Sequence, residues 1–233
     1  MKNVLYYTYM PISDVEKFRD EHYEKCLELD LLGKVIVAKE GINGCVSGDD
    51  SNIEKYVEYL KTLGIDEAEI KVTAAQGHNF RKLWVKIKSQ IIGTKNWNAK
   101  IENKADYIEA DELKKMFDRN EEFYILDARN NYEYEVGHFR NAVYPNIRKF
   151  TEFGDFVKTL DHLKDKKVVT FCTGGIRCEL ASAYLKEQGF KDVKQLHGGI
   201  VSYGKKYGSQ HWKGKCFVFD NRVVLDMDQM KNE

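Results

Sequence analysis

The chain has 233 residues, enough for one large domain or two small ones with a real core. Its 37 basic and 37 acidic residues cancel, so no global field draws it to nucleic acid or membrane, and such binding has to come from a local patch. The start, Met1 to Tyr9, is too short and polar for a signal peptide, and no apolar run is long enough to span a bilayer. The five cysteines, Cys26, Cys45, Cys172, Cys178 and Cys216, are odd in number and scattered, with no CxxC pair. They fit free thiols in a reduced, cytoplasmic chain better than a disulfide framework, and the histidines lack zinc spacing, so no metal is expected.

In chain order, Val4 to Met10 reads as a strand closed by Pro11. Ser13 or Asp14 caps a helix whose apolar stripe, Val15, Phe18, His22, Cys26 and Leu29, runs up to Gly33 and makes Cys26 an inert core thiol. Val35 to Ala38 is a strand, Glu40 to Gly44 a turn, and Cys45 to Ser47 its returning partner. Asp49 to Ser51 open a second helix that stops at Gly64, and Ile70 to Ala74 and Leu83 to Ile91 are further strands. The order β-α-β-β-α-β with one extra strand describes a ferredoxin-like (acylphosphatase-like) α+β sandwich over residues 1–95.

The last of these strands alternates. Leu83, Val85, Ile87 and Ile91 are expected in the core, and Lys82, Trp84, Lys86, Lys88 and Gln90 on one exposed face. No acidic residue stands between Glu69 and Glu102, an interval that holds Lys71, Arg81, Lys82, Lys86, Lys88, Lys95 and Lys100 with Phe80, Trp84 and Trp97. Cations that pair with phosphates and rings that stack on unpaired bases suit an RNA loop, so Arg81, Lys82, Trp84, Lys86, Lys88 and Lys95 are candidate RNA-binding residues. A solvated strand face that deters aggregation is the plainer alternative.

Residues 96–105 are polar and aperiodic and read as a linker. Beyond them, over residues 106–210, strands alternate with helices, which argues for a parallel sheet covered on both faces. The expected elements are a helix at Asp111 to Phe117, a strand at Phe123 to Arg129, a polar-aromatic turn at Tyr132 to Phe139, and a helix at Phe153 to Leu163. A strand at Lys167 to Phe171, a helix at Glu179 to Gln188 and a strand at Val193 to Leu196 follow. Residues 211–233 form a tail whose two apolar triplets, Phe217 to Phe219 and Val223 to Leu225, read as a hairpin closing a sheet edge.

The most informative stretch is Cys172-Thr173-Gly174-Gly175-Ile176-Arg177, set between a strand and a helix. Gly174 and Gly175 allow successive N–H groups to turn inward as an anion nest, and the helix adds its positive end. Both lower the pKa of Cys172, making it a thiolate nucleophile, and Arg177 places a guanidinium at the mouth. Cys178 reads as a small buried residue or, less simply, as a resolving thiol. Asp127 and Arg129 end a strand on the loop side and are expected to brace the loop. His138 and His197 read as structural hydrogen-bonding groups.

Three motifs, Leu126-Asp127-Ala128-Arg129 with Glu133-Tyr134 and Gly137-His138, then Cys172 to Arg177, then Leu196-His197-Gly198-Gly199-Ile200, resemble a rhodanese domain. Phosphatases of that fold have a loop one residue longer, so a phosphatase is set aside. With Lys39 to Gly44 and Phe80 to Lys86, the whole chain resembles the oxygen-dependent tRNA uridine hydroxylases. That resemblance implies hydroxylation of the wobble uridine of tRNA to 5-hydroxyuridine. It also implies Cys172 as the catalytic residue, molecular oxygen as co-substrate without a further cofactor, tRNA as partner and no stable protein partner. It makes an interface or RNA contact conceivable for Glu40 and Asn43. Many members continue into a cysteine-rich tail, whereas this chain ends at Glu233 with Cys216 alone in that region. Two competing readings are a sulfurtransferase carrying a persulfide on Cys172 and a non-catalytic RNA-binding module.

Overall fold

The computed structural model describes residues 1–231. They form two compact units: Met1–Gly93 with Phe219–Arg222, and Thr94–Val218 with residues 223–231.

The first unit runs β1 (Lys2–Tyr9), α1 (Val15–Glu28), β2 (Leu32–Ala38), β3 (Gly41–Gly48), α2 (Asp50–Thr62), β4 (Ile70–Ala74) and β5 (Leu83–Ile87). The sheet order is β4-β1-β3-β2-β5, antiparallel except that β5 runs parallel to β2. This is the ferredoxin-like sandwich expected from the sequence, with its extra strand at one edge. Asp14 caps α1 by accepting the Lys17 N–H at 2.9 Å. The core forms where inward residues of the strands, such as Val4, Val35 and Val46, meet Cys26 of α1 and Ile53, Tyr56 and Leu60 of α2. Burial pushes the Cys26 thiol up to about 12, consistent with an inert core residue.

Three local expectations change. Gly33 lies inside β2 and does not stop α1; a side chain there would come within 2.4 Å of the Cys45 carbonyl, so the glycine serves strand contact. The hairpin turn is only Lys39-Glu40, and β3 already starts at Gly41. Strand β5 stops at Ile87, which is 40% exposed, so the alternation expected to run to Ile91 ends early.

Polar groups also enter this core. His22 Nε2 lies 3.0 Å from the Tyr6 hydroxyl and 2.8 Å from that of Tyr56, and the two hydroxyls are 2.6 Å apart. All three residues are fully buried, so each polar group depends on the others. Burial brings the His22 pKa down to about 4 and keeps the ring neutral.

The second unit holds β6 (Asp106–Ile108), α3 (Ala110–Asp118), β7 (Tyr124–Asp127), α4 (Asn131–Val136), β8 (Gly137–Phe139) and α5 (Phe153–Val157). It continues with β9 (Lys167–Phe171), α6 (Ile176–Glu187), β10 (Asp192–Leu196), α7 (Gly199–Tyr207), β11 (Trp212–Gly214), β12 (Cys216–Phe217), β13 (Val224–Leu225) and α8 (Met227–Met230). Strands β6-β10-β9-β7 form a wholly parallel sheet. Cys172 follows the last residue of β9, beyond the carboxyl end of a sheet strand, where α/β folds place their sites.

Residues 96–105 are not a linker. Trp97 is buried among Phe150, Phe153 and Tyr184, with ring centroids 5.0–5.6 Å apart, and its indole N–H donates to the Phe150 carbonyl. Asn103 donates to Glu187 at 2.7 Å, and the Ala105 N–H to Ser182 at 3.0 Å. A polar, aperiodic segment is held by one aromatic anchor and side-chain bonds to α6, which no periodicity announces. The expected turn at Tyr132 to Phe139 is instead α4 and β8, with Glu133 in the first turn of α4 accepting the Asn130 N–H. The terminal hairpin is the short ladder β12–β13, separate from both larger sheets, so it closes no edge of either.

Candidate active site

The loop from Cys172 to Arg177 is built by a change of backbone direction at Gly175, whose φ of 108° is open to glycine and strained for other residues. Gly174 does not share that conformation, so one glycine, not two, makes the turn. The Gly175 N–H points back and donates to Cys172 Sγ at 3.2 Å. Ile176 then opens α6, whose positive end faces the sulfur. From beneath, the Ile200 N–H donates to the Cys172 carbonyl at 2.9 Å and the Val201 N–H to that of Thr173 at 3.1 Å. Gly198 and Gly199 both have positive φ, and their loop reaches the cysteine loop without side chains in the way.

Cys172 is fully buried. Burial alone pushes its thiol up; the Cys178 thiol that bonds to it, the Arg177 charge and the N–H groups of Cys178 and Gly175 outweigh burial and bring it down to about 6. Burial and the charge on Cys172 push Cys178 up instead. One negative charge therefore resides on Cys172 at neutral pH, and Cys178 keeps its proton.

Arg177 does not stand open at the mouth as expected. It is 5% exposed and bound end-on by Glu133, with Nη1 to Oε2 at 2.7 Å and Nη2 to Oε1 at 2.8 Å. Its Nη2 also lies 3.4 Å from the Thr173 hydroxyl. Glu133 is fully buried and accepts the Asn130 N–H at 3.1 Å, tying the start of α4 to the loop. Burial raises the Glu133 pKa, but Arg177 beside it prevails and holds the carboxyl below its ordinary value.

Asp127 and Arg129 are both fully buried and bind one another, with Arg129 Nη2 2.6 Å from Asp127 Oδ2 and 2.7 Å from the Gly137 carbonyl. They do not hydrogen-bond to the cysteine loop as expected. Arg129 lies over the rings of Phe171 and Trp212, each 5.4 Å from its guanidinium carbon, so its support reaches Cys172 through the preceding residue. His138 Nδ1 bonds the Tyr134 carbonyl at 2.9 Å, and His197 Nδ1 meets Glu109 at 2.7 Å, which gives both rings structural partners.

In the first unit, Glu40 accepts the Ile91 N–H at 2.9 Å and Asn43 donates to the Ile91 carbonyl at 3.1 Å. Their partner is a backbone segment after β5. Arg81, Lys82, Trp84, Lys86 and Lys88 are all exposed, and Lys86 Nζ lies 4.0 Å from the centre of the Trp84 ring. Strand register adds Lys34, which sits opposite Trp84 on β2 and is also exposed. Lys71, which stands in the same acid-free interval, is buried, paired with Glu69 at 2.9 Å and lies over Tyr7. Trp97 is core, Phe80 is half-buried, and Lys95 is exposed but belongs to the second unit. Neither Lys34 nor the Glu133–Arg177 pair was found by sequence reasoning. The Asn130-x-x-Glu133 capping pattern was the available signal for Glu133; for Lys34 none existed, because β2 and β5 are distant in the chain.

A thiolate on a six-residue loop after a parallel strand, buttressed by a glycine pair, defines a rhodanese-type domain, here joined to an acylphosphatase-like domain. Family models agree, with a UPF0176 acylphosphatase-like domain over residues 1–91 and a rhodanese-like domain over residues 109–206. The tRNA uridine(34) hydroxylase of Cytophaga hutchinsonii is 47% identical over 97% of this chain and 73% of its own length. Those of Onion yellows phytoplasma, at 43% over 98% and 76%, and Bacillus cytotoxicus, at 42% over 98% and 72%, are similar. Among solved structures, a rhodanese-like domain from Anabaena matches 46% of this chain and 78% of its own, at 24% identity and a TM-score of 0.41. The chain belongs to the tRNA uridine(34) hydroxylase family.

Proposed function

We propose that this protein hydroxylates the wobble uridine of tRNA, U34, to 5-hydroxyuridine, with molecular oxygen as co-substrate, no bound cofactor and the Cys172 thiolate as the reacting group. The observation that carries the reading is a stabilised thiolate in a loop whose arginine is already taken by a buried carboxylate. The names of its relatives supply the substrate.

The uracil ring is electrophilic at C6. Addition of Cys172 Sγ there forms an S–C6 bond and puts enolate character on C5, with loop N–H groups available to a ring carbonyl oxygen. Oxygen adds at C5 as a hydroperoxide after protonation. A thiol reductant then cleaves the O–O bond, releasing water and leaving as a disulfide. Loss of the C5 proton with breakage of S–C6 returns the thiolate and the hydroxylated ring. The ring thus supplies half of the electrons that reduce oxygen, and the external thiol the other half. The cationic β5 face, Arg81, Lys82, Lys86 and Lys88 with Lys34, would hold phosphates, and Trp84 would stack on an unpaired base.

The test is nucleoside mass spectrometry of tRNA treated with the protein under isotopically labelled oxygen. Label in 5-hydroxyuridine with the wild type and none with Cys172→Ser supports the reading. Full activity of Cys172→Ser, or loss of thiolated nucleosides instead when the protein is deleted, refutes it in favour of a role without Cys172 or of sulfur transfer.

A further inference from the structure

Strands β7 and β9 run parallel with Asp127 opposite Phe171, so the chain leaving β7 emerges beside Cys172. The Ala128 N–H holds it there by donating to the Phe171 carbonyl at 2.9 Å. Helix α4 follows, with Tyr132 as its second residue, and Glu133 after it reaches into the cysteine loop. Tyr132 is thereby fixed at the flank of that loop, and its side chain is 41% exposed. Phe217 meets the ring edge-on, with centroids 5.2 Å apart, and the Asn130 side-chain amide donates to its hydroxyl at 2.9 Å. A ring held by its edge and hydroxyl keeps one orientation while leaving area to solvent, as a platform for an unpaired base requires. Tyr144 is also exposed, but its hydroxyl donates to the Glu135 carboxylate at 3.2 Å, a charge unfavourable to an RNA strand.

Cations stand beside the platform. The Asn131 N–H donates to the Ile147 carbonyl at 2.8 Å, which sets Arg148 and Lys149 next to the start of α4. Both are exposed, and among the described residues neither pairs with a carboxylate. Lys158, Lys164 and Lys166, farther along the chain, each have such a partner. Glu152, the acid closest in sequence, accepts the Arg148 N–H at 2.8 Å and so serves the backbone. Unspent cations beside an aromatic ring suit the phosphate of a nucleotide whose base lies on that ring.

We propose that Tyr132, Arg148 and Lys149 form a subsite for the nucleotide next to the target uridine: the ring stacks on its base and the two cations hold its phosphate. The identity of the uridine rests on the functional reading above, whereas the subsite itself requires only single-stranded RNA. The buried position of Cys172 gives the subsite a use. A uridine has to leave its stack to reach the sulfur, which separates it from the bases on either side. A ring at the flank of the loop takes up one of those bases and offsets part of the unstacking cost.

The test is titration of the full chain, without oxygen, with a fluorescent anticodon stem-loop RNA that carries uridine at the wobble position. Tyr132→Ala is expected to weaken binding by roughly tenfold, within the range for losing one stacked base, and Tyr132→Phe to preserve it. Against an RNA with an abasic residue on one side of the uridine, 5′ or 3′, Tyr132→Ala is expected to add no further loss. Arg148→Ala and Lys149→Ala are each expected to reduce the slope of log affinity against log salt by about 0.7. A ring that only braces Phe217 would instead lower the melting temperature and weaken intact and abasic RNA alike. That result overturns the proposal, as does unchanged affinity in Tyr132→Ala, unchanged salt slopes in both cation variants, or failure of the wild type to bind the RNA. Should Tyr132→Ala not fold, Tyr132→Leu, which keeps an apolar contact to Phe217 without a flat ring, takes its place. The functional reading fails separately: RNA bound with these dependences but left unhydroxylated when oxygen is admitted refutes that reading and leaves the subsite standing.

Discussion

Gly199 approaches Cys172 so closely that a side chain on it would lie 2.4 Å from the Cys172 carbonyl oxygen. Its φ of 63° adds a second reason for glycine. Gly199→Ala is expected to push the cysteine loop off its amides, cost about 1–3 kcal/mol of stability and slow Cys172 alkylation at pH 7 by an order of magnitude. Thermal denaturation and the alkylation rate check both; an unchanged alkylation rate would show that the loop does not depend on this contact.

The thiolate makes a pH profile diagnostic. Alkylation of Cys172 should rise with pH through a midpoint at about 6, because the reactive form is the deprotonated one. Cys178→Ala removes the donor thiol beside the sulfur and is expected to move that midpoint upward. A midpoint that stays in place in the variant would remove Cys178 from the set of groups that stabilise the charge.

His22 links stability to pH with a definite sign. Its folded pKa is about 4 against an ordinary 6.5, so the unfolded chain takes up the proton first. Stability is full above about pH 6.5 and is lost as the pH falls toward 4, by roughly 3 kcal/mol from this group. Urea denaturation at several pH values, compared with His22→Leu, measures it: the variant should lose that part of the slope. Equal slopes would show that the buried histidine does not drive the dependence.

On the β5 face, Trp84→Ala is expected to weaken tRNA binding by about 1–3 kcal/mol, the worth of a stacked base. Lys34→Ala and Lys86→Ala should each lower the magnitude of the salt dependence of binding by about one. Titrations at several salt concentrations read this. Unchanged affinity in all of them would return the face to the plainer role of a solvated edge.

Trp97 anchors a segment that looks like a linker. Trp97→Ala is expected to cost about 3–5 kcal/mol, the range for emptying a buried aromatic site, as seen in chemical denaturation of the full chain. Exposed linker behaviour, with a cost near zero, would contradict the packing against Phe150, Phe153 and Tyr184.

Much of the fold was legible because its signals are local. A run of Tyr and β-branched residues closed by Pro11 located β1, period-two alternation located β5, helical spacing placed Cys26 inward, and capping patterns opened α1 and α2. The position of Cys172 between an apolar strand and a helix start was equally local. The errors share a cause. Trp97 and Gly33 are read from their neighbours in sequence, but each is decided by a partner distant in the chain: Tyr184 and Cys45.

By itself, the sequence determined the two-unit order and the site of the thiolate, since strand, turn and helix propensities act over a few residues. Tertiary structure alone decided the state of Arg177. A guanidinium at the second residue of α6 is open or paired according to what the fold lays against it, and here that is Glu133, 44 residues earlier in the chain. Strand register likewise set Lys34 beside Trp84. Charge pairing and register depend on distances in space, which local periodicity does not encode.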